Sequence, residues 1–432
     1  MTQLRYLRLF LHLPSGERRA IGYLSGFGDV LRVSFDESYI GDPSRPTLSL
    51  AYRGATERDT VAILSTTRDA RVVRSDGRWP TFFSNLLPEG HNRTRLAHER
   101  GCTEEDELEL LAAAGRDLAG AVEVEPVPLA EGIPASVVAW HAAMGIDVSH
   151  PDVVAAPVED AASLAGVVTK FSAIKDGRRY VVKRHGRPGA YILKLPSARH
   201  PDLVDNELTG YRLCEALGLD CAEAAKVGRK DAELPDHVEV SHVLAVKRFD
   251  RGPDGRRVHM EELAQAMQYA PREKYGRGLE TDFPVMLRLL DRLSADPVKD
   301  VREAVRRLVA FALVGNTDAH LKNWALVYRD GGTPALSPLY DPVCVSAWFD
   351  EIAPHEYALN RSVDRKLTAL DVEALRGLLV TAGLSRSARL VQIAKDTVKE
   401  AKARWPEVLR DAPDNLRASV EKRLAGAVAL AR

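Results

Sequence analysis

In the segment LRYLRLFLHL (residues 4–13), Leu7, Leu9, Leu11 and Leu13 recur at every second position, which predicts a half-buried strand. PSGERR turns the chain, and AIGYLS, VLRVSFD and LSLAY read as further short strands broken by Gly, Pro and Asp. The period then lengthens. TFFSNLLPEGHNRTRLAHERG reads as a helix-containing segment and TEEDELELLAAAG as a second helix, with Thr103 placed to cap it. Acids in that helix's first turn suit the positive end of its dipole. Residues 1–125 therefore predict a small α+β subdomain.

Residues 126–160 are rich in Pro, Ala and Val without clear periodicity, and predict a loosely structured connection. Residues 161–255 return to strand patterns in VVTKFSAI, RYVVKR, AYILKLP and HVLAVKRFD. One helix interrupts them, DLVDNELTGYRLCEALGLD, stopping at Gly218. From 256 to 432 helices dominate: DFPVMLRLLDRL and VREAVRRLVAFALVG place apolar residues at i, i+3, i+4 and i+7. A hairpin follows, then helices from about residue 368. Strands first and helices after predict an α+β fold in two lobes.

Length and composition narrow the class. A chain of 432 residues exceeds one compact core, and 45% apolar with 28% charged residues is the balance of a globular protein. A net charge of −1 gives no global attraction to nucleic acid or to an anionic membrane. Eleven Lys and Arg against six acids between Arg386 and Arg432 read as a solvated helical face. The four cysteines show no metal-ligand spacing and suit a reducing, cytoplasmic setting. No apolar run reaches the roughly 18 residues of a membrane span, and arginines interrupt the apolar N-terminus, so no membrane association is expected.

The chemistry is concentrated at GNTDAHLKNWALVY (315–328), where a helix gives way to a strand. Asp318 and Asn323 show the D-x4-N spacing of a kinase catalytic loop, in which the Asp handles the proton of the nucleophile and the Asn ligates Mg²⁺. Lys322 is placed to neutralise a γ-phosphate, and His320 suits a loop-stabilising hydrogen bond. The hairpin then delivers Asp341 as a second metal ligand, followed by Pro342 and Val343 in place of a Phe-Gly pair. In GAYILKLP, Lys194 interrupts an apolar strand and needs an anionic partner; Glu207, thirteen residues on in the next helix, can supply it. SLAGVVTK holds one glycine, Gly166, between Ser163 and Lys170, enough for a loop over phosphates. LAVKRFDR falls where an adenine hinge would lie, with Lys247 and Phe249 at its centre. Each motif alone also suits an ordinary turn, cap or snorkelling lysine. Their order along one chain favours a phosphotransferase.

That ordered set resembles the HipA family of bacterial toxin serine/threonine kinases. The matching stretches are FFSNLLPEG (82–90), SLAGVVTK (163–170), YILKLP (191–196), DNELTGYRLCEALGL (205–219), LAVKRFDR (244–251), NTDAHLKN (316–323) and LSPLYD (336–341). The resemblance implies a protein-kinase-like fold, with a HipA-type subdomain over 1–125, a connection over 126–160, a small-lobe core over 161–255 and a helical C-terminal lobe over 256–432. It implies ATP and Mg²⁺ as cofactors and an aminoacyl-tRNA synthetase as the protein phosphorylated. It also implies a HipB-like helix-turn-helix antitoxin that carries the complex to operator DNA, with a homodimer in that complex. By motif position Asp318 is catalytic, Asn323 and Asp341 hold the metal, and Lys194 contacts ATP phosphates. Ser163, Gly166, Lys170, Glu207, Lys247, Phe249, Lys322 and His320 complete the nucleotide site, and Ser163 is the autophosphorylation candidate. Val168 and Thr169 depart from the family's phosphate loop, and Lys247 from a common hinge Glu. A lipid or small-molecule kinase, and a non-catalytic kinase-shaped co-repressor, are the alternatives.

Overall fold

The computed structural model describes residues 3–128, 131–146, 148–164, 166, 168–197, 200–252, 254–348 and 367–432. β1 (Arg5–His12), β2 (Arg18–Phe27), β3 (Val30–Phe35), β4 (Val73–Arg74) and β5 (Val122–Pro126) form an antiparallel sheet in the order β4-β3-β2-β1-β5. Leu7, Leu9 and Leu11 are buried with Val33, Phe82, Leu111 and Val124, as alternation predicts. LSLAY is not a strand: Leu50–Tyr52 is one 3-10 turn. Ser49 explains the difference, since its Oγ accepts the Ala51 N–H at 3.0 Å and donates to buried Glu261 at 2.5 Å. Such side-chain bonds compete with a ladder. The helix expected over TEEDELELLAAAG runs Glu107–Ala114, and its cap is Asp106, not Thr103, because the Asp106 carboxylate accepts the Glu109 N–H at 3.1 Å. The stretch read as a connection carries a helix, Ala135–Ala143, whose Val137 packs with Leu4 and Tyr6.

The second sheet holds β6 (Lys170–Asp176), β7 (Arg179–Val181), β8 (Tyr191–Lys194), β9 (Ala224–Gly228), β10 (Ala232–Glu233) and β11 (His242–Lys247). Its order is β10-β7-β6-β8-β11-β9. The two strands that alternation does not mark, β9 and β10, are its edges, where fewer residues need an apolar face. The Leu203–Ala216 helix lies against β9 and β11 and ends before Gly218, whose φ of +66° continues no helix.

A third sheet, β12 (His259–Glu262), β13 (Ala325–Tyr328) and β14 (Ala335–Leu336), contains the predicted hairpin and one strand that sequence reading passed over, β12. Beside it the Leu279–Leu293, Pro297–Val314, Val372–Thr381, Ser387–Leu409 and Asp414–Lys422 helices make the second lobe. Pro297–Val314 starts with Asp296 accepting the Lys299 N–H and ends at Gly315, with φ of +79°. A Cβ at Gly315 would fall 1.9 Å from Ser346 Oγ, so the chain can leave this helix toward 316–323 only through glycine. Among the described residues no helix is long and apolar enough to cross a membrane.

A buried ionic cluster joins the first sheet's subdomain to the second. Asp117 meets Arg184 at 2.9 Å, Arg248 at 2.7 Å and Arg251 at 3.1 Å, and accepts the Ser172 hydroxyl at 2.7 Å. Asp250 meets Arg248 at 2.8 Å and accepts the Gly120 N–H at 2.7 Å. LAVKRFDR is thus a joint between the two.

Candidate functional site

Strand register brings two lysines face to face. Lys194 of β8 is opposite Lys170 of β6, and both are buried. Like charges directly opposite one another destabilise a sheet, so anions must lie over this face. Two do. Lys194 Nζ meets Glu207 Oε1 at 2.5 Å and is bonded to Asp341 Oδ1, while Lys170 Nζ stands 4.0 Å from Asp341 Oδ2. Burial would lower the Lys194 pKa, but Asp341 and Glu207 raise it, so the ammonium stays charged. Burial would raise that of Asp341, but Lys194 and then Lys170 hold it at about 2.

Asp341 is delivered in the left-handed region, with φ of +55°. Four groups impose this conformation on the 341–344 loop. Tyr211 Oη accepts the Asp341 N–H at 3.3 Å, and Asn316 Nδ2 donates to Asp341 O at 3.0 Å. Asn206 brackets Cys344, accepting its N–H at 2.8 Å and donating to its carbonyl at 3.1 Å. Gly210 lets the Pro342 carbonyl lie against the helix, where a Cβ would sit 1.7 Å from that oxygen. The helix that supplies Glu207 therefore also grips the loop that supplies Asp341.

Asp318 is set from three sides. Its N–H donates to Asn316 Oδ1 at 3.1 Å, its carbonyl accepts Asn323 Nδ2 at 2.8 Å, and its Oδ1 accepts the Tyr275 hydroxyl at 2.7 Å. Asn323 thereby spends its amide nitrogen on the loop and keeps Oδ1 as an acceptor. Asn316, with no exposed surface, spans the Asp318 and Asp341 loops with one side chain. Sequence reading passed over Asn316, Tyr275, Asn206 and Gly210, because only contacts across the fold give them a role.

A cavity of about 120 Å³ opens at this junction. Ser163, Lys170, Lys194, Lys247, Phe249, Lys322, Asn323 and Asp341 all line it, with Ile192, Ala222, Val246, Met260 and Tyr340 as apolar walls. Asp318 and Glu207 are not on its lining; they meet it through Asn323 and through Lys194. Gly166 has φ of +95°, and a Cβ there would lie 2.6 Å from Lys170 Nζ, so its backbone passes close over the lysine. Phe249 stacks in tilted contact on Tyr340, centroids 5.5 Å apart.

Several expectations need correction. The Lys322 ammonium is not free for a γ-phosphate: it meets Glu89 at 2.9 Å, Glu262 at 3.2 Å and the Asn85 carbonyl at 3.1 Å. His320 lines the neighbouring apolar hollow, not the cavity that Lys194 and Asp341 line, and accepts the Lys322 N–H at 3.3 Å. Burial lowers its pKa to about 4, so it is neutral and suits the loop-stabilising role. At the hinge, the Lys247 and Arg248 amides are already bonded to Glu223 O and Ala190 O, and Lys247 Nζ pairs with Glu223 at 2.6 Å. Ser163 is buried, its N–H bonded to Asp117 O and its hydroxyl donated to Leu86 O.

The comparisons agree with this architecture. The HipA N-terminal domain model matches residues 16–125 and the HipA-like C-terminal domain model residues 162–405. A Sinorhizobium fredii protein named "Putative kinase Y4dM" is 36% identical over 391 residues, 88% of this chain and 87% of its own. The serine/threonine-protein kinase toxin HipA of Shewanella oneidensis is 27% identical over 289 residues, 62% of this chain and 64% of its own. A solved Shewanella oneidensis complex of HipA, HipB and operator DNA superposes with a TM-score of 0.64 at 22% identity, covering 98% of this chain and 96% of that one, which is a likeness of fold. The chain belongs to the HipA family.

Proposed function

We propose that this protein is the toxin of a toxin–antitoxin pair: an ATP- and Mg²⁺-dependent kinase that phosphorylates a serine or threonine of a protein. The observation that carries the reading is the Lys194–Glu207 and Lys194–Asp341 pairing on a cavity that Asn323 also lines. The donor chemistry suits magnesium. Asn323 Oδ1 and the Asp341 carboxylate are hard oxygen ligands, and the described residues hold no cluster of three or more His, Cys, Asp or Glu that would bind a metal unaided. Phosphate oxygens would complete such a shell, and the bound Mg²⁺ would offset charge on the transferring phosphoryl group.

In this reading the apolar walls hold the adenine, and Lys194 and Lys170 face the phosphates. Asp318 takes the proton of the attacking hydroxyl; Tyr275 and Asn316 keep its carboxylate aimed. Lys170 now offsets Asp341 and would turn from it to the nucleotide. Phosphorylation of Ser163 would require its segment to leave the buried site where Leu86 O holds its hydroxyl. A HipB-like helix-turn-helix antitoxin and its operator DNA are the expected partners, and an aminoacyl-tRNA synthetase the expected substrate, by likeness to the family.

Asp318→Asn tests the base: labelled phosphate transfer falls by about 10²–10⁴-fold while the fold is kept. Undiminished transfer would remove Asp318 from its role. Mg-ATP stabilises wild type and Asp318→Asn alike by about 2.7 kcal/mol at a hundredfold excess over Kd, seen as a rise in melting temperature. Absence of any shift would favour a non-catalytic co-repressor, and transfer to lipid headgroups alone would favour a lipid kinase.

A further inference from the structure

Within the N-terminal subdomain, the short stretch Asn85–Asn92 reaches both loops of the site. Glu89 holds two lysines at once, Lys274 at 2.9 Å through Oε2 and Lys322 at 2.9 Å through Oε1. Each lysine directly precedes a residue that fixes Asp318: Lys274 precedes Tyr275, which donates to the Asp318 carboxylate, and Lys322 precedes Asn323, which donates to its carbonyl. A backbone bond from Leu321 N to Lys274 O at 2.9 Å ties the two loops together beside them. Asn85 adds its carbonyl to Lys322 and its amide to Tyr269 O at 2.9 Å. Asn92, from the same stretch, accepts the Lys170 N–H at 3.4 Å on the phosphate-loop side.

We propose that Glu89 is a positioning residue for phosphotransfer, through which the N-terminal subdomain sets Tyr275 and Asn323, and so Asp318. The proposal rests on the kinase reading of the site. Its physical basis is the cost of leaving Lys322 without a partner. Lys322 is 3% exposed, and a buried charge deprived of its counter-ion draws in water or moves. Glu262 is a poor substitute. Burial raises its pKa to about 7, whereas Glu89, which burial alone would raise, is held at about 2 by Lys322 and Lys274. Without Glu89, Lys322 would lose its ionised partner, and Lys274 the one carboxylate it meets among the described residues.

The test compares the full-length protein with Glu89→Gln and Lys274→Met, with Glu107→Gln as control. Glu107 is also a buried carboxylate of that subdomain, but among the described residues its carboxylate meets only Trp79, Ser84 and Arg93, all within it. Two readouts are taken: amide hydrogen exchange, and steady-state phosphotransfer with kcat separated from KM for Mg-ATP. Glu89→Gln is expected to speed exchange in residues 270–278 and 316–324 together, and to lower kcat about 10- to 100-fold at unchanged KM. Lys274→Met does the same to a smaller degree, chiefly in 270–278, and Glu107→Gln moves neither readout at these loops. Unchanged kcat with unchanged exchange in Glu89→Gln overturns the proposal, as does an equal effect from Glu107→Gln. A wild-type protein inert toward Mg-ATP sinks the kinase reading. Exchange then decides the linkage alone: faster exchange at both loops supports it, and none overturns it.

Discussion

Asn316 shows how much of this site depends on one uncharged side chain. It accepts the N–H of Asp318 and donates to the carbonyl of Asp341 from a position with no exposed surface. Asn316→Ala strands both backbone groups, each buried donor or acceptor costing about 1–3 kcal/mol. It should lower both the urea midpoint and kcat. A variant with full stability and full turnover would show that the two loops hold their shape without it. That Lys194, Asn323 and Asp341 belong to one site was legible from their order along the chain and from a charge interrupting an apolar strand, and the fold does bring all three to one cavity. Asn316 was not legible, although it lies within NTDAHLKN, because an amide signals nothing until its partners are known. Lys322 stood out in the sequence, but its pairing with Glu89 and Glu262 did not. Its charge could be read from the chain, whereas Glu89, more than two hundred residues away, could not be named as its partner.

Two glycines in helices carry opposite predictions. Gly210 lies on the face of Leu203–Ala216 that meets the 341–344 loop, and an added Cβ would fall 1.7 Å from Pro342 O. Gly210→Ala therefore gains up to about 1 kcal/mol of helix propensity but loses more through the clash. The melting temperature and turnover should both drop. Gly377, in Val372–Thr381, meets nothing within 4 Å, so Gly377→Ala should stabilise by up to about 1 kcal/mol with turnover unchanged. Calorimetry on the pair decides it, and equal shifts of one sign would refute the packing argument. Strongly periodic helices and central strands were readable because each buries one face regardless of what covers it. LSLAY, the Asp106 cap and strands β9, β10 and β12 were not. Their conformations come from Ser49–Glu261, from a competing cap and from neighbouring strands.

The molecule as a whole is tied across its subdomains by buried charge. Asp117→Ala would leave Arg184, Arg248 and Arg251 short of an anion in the interior. Breaking such a set costs about 3–5 kcal/mol. Limited proteolysis should then cut near the 116–121 and 248–251 joint; an unchanged digestion pattern and urea midpoint would argue against the joint. Burial would raise the Asp117 pKa, but Arg248, Arg251 and Arg184 hold it well below the carboxylate range, so its contribution survives mild acid. Glu261 behaves oppositely. Burial raises it from 4.5 to about 7, against donors Ser49, Tyr328 and Leu50, so its contribution is fully present below 4.5 and lost as pH climbs through about 7. Urea midpoints of Glu261→Gln should fall less steeply than wild type across that window, and parallel curves would contradict this.

Periodicity, glycine stops and ionic residues in apolar strands were enough to foretell an α+β chain in two lobes and to name eight residues that line one cavity, because those signals are local. Folding alone decided which carboxylate each buried lysine meets, since pairing energies depend on distances that chain order does not encode. For the same reason only the folded molecule could bring Glu89 and Asn85 of the N-terminal subdomain onto Lys322 of the 316–323 loop.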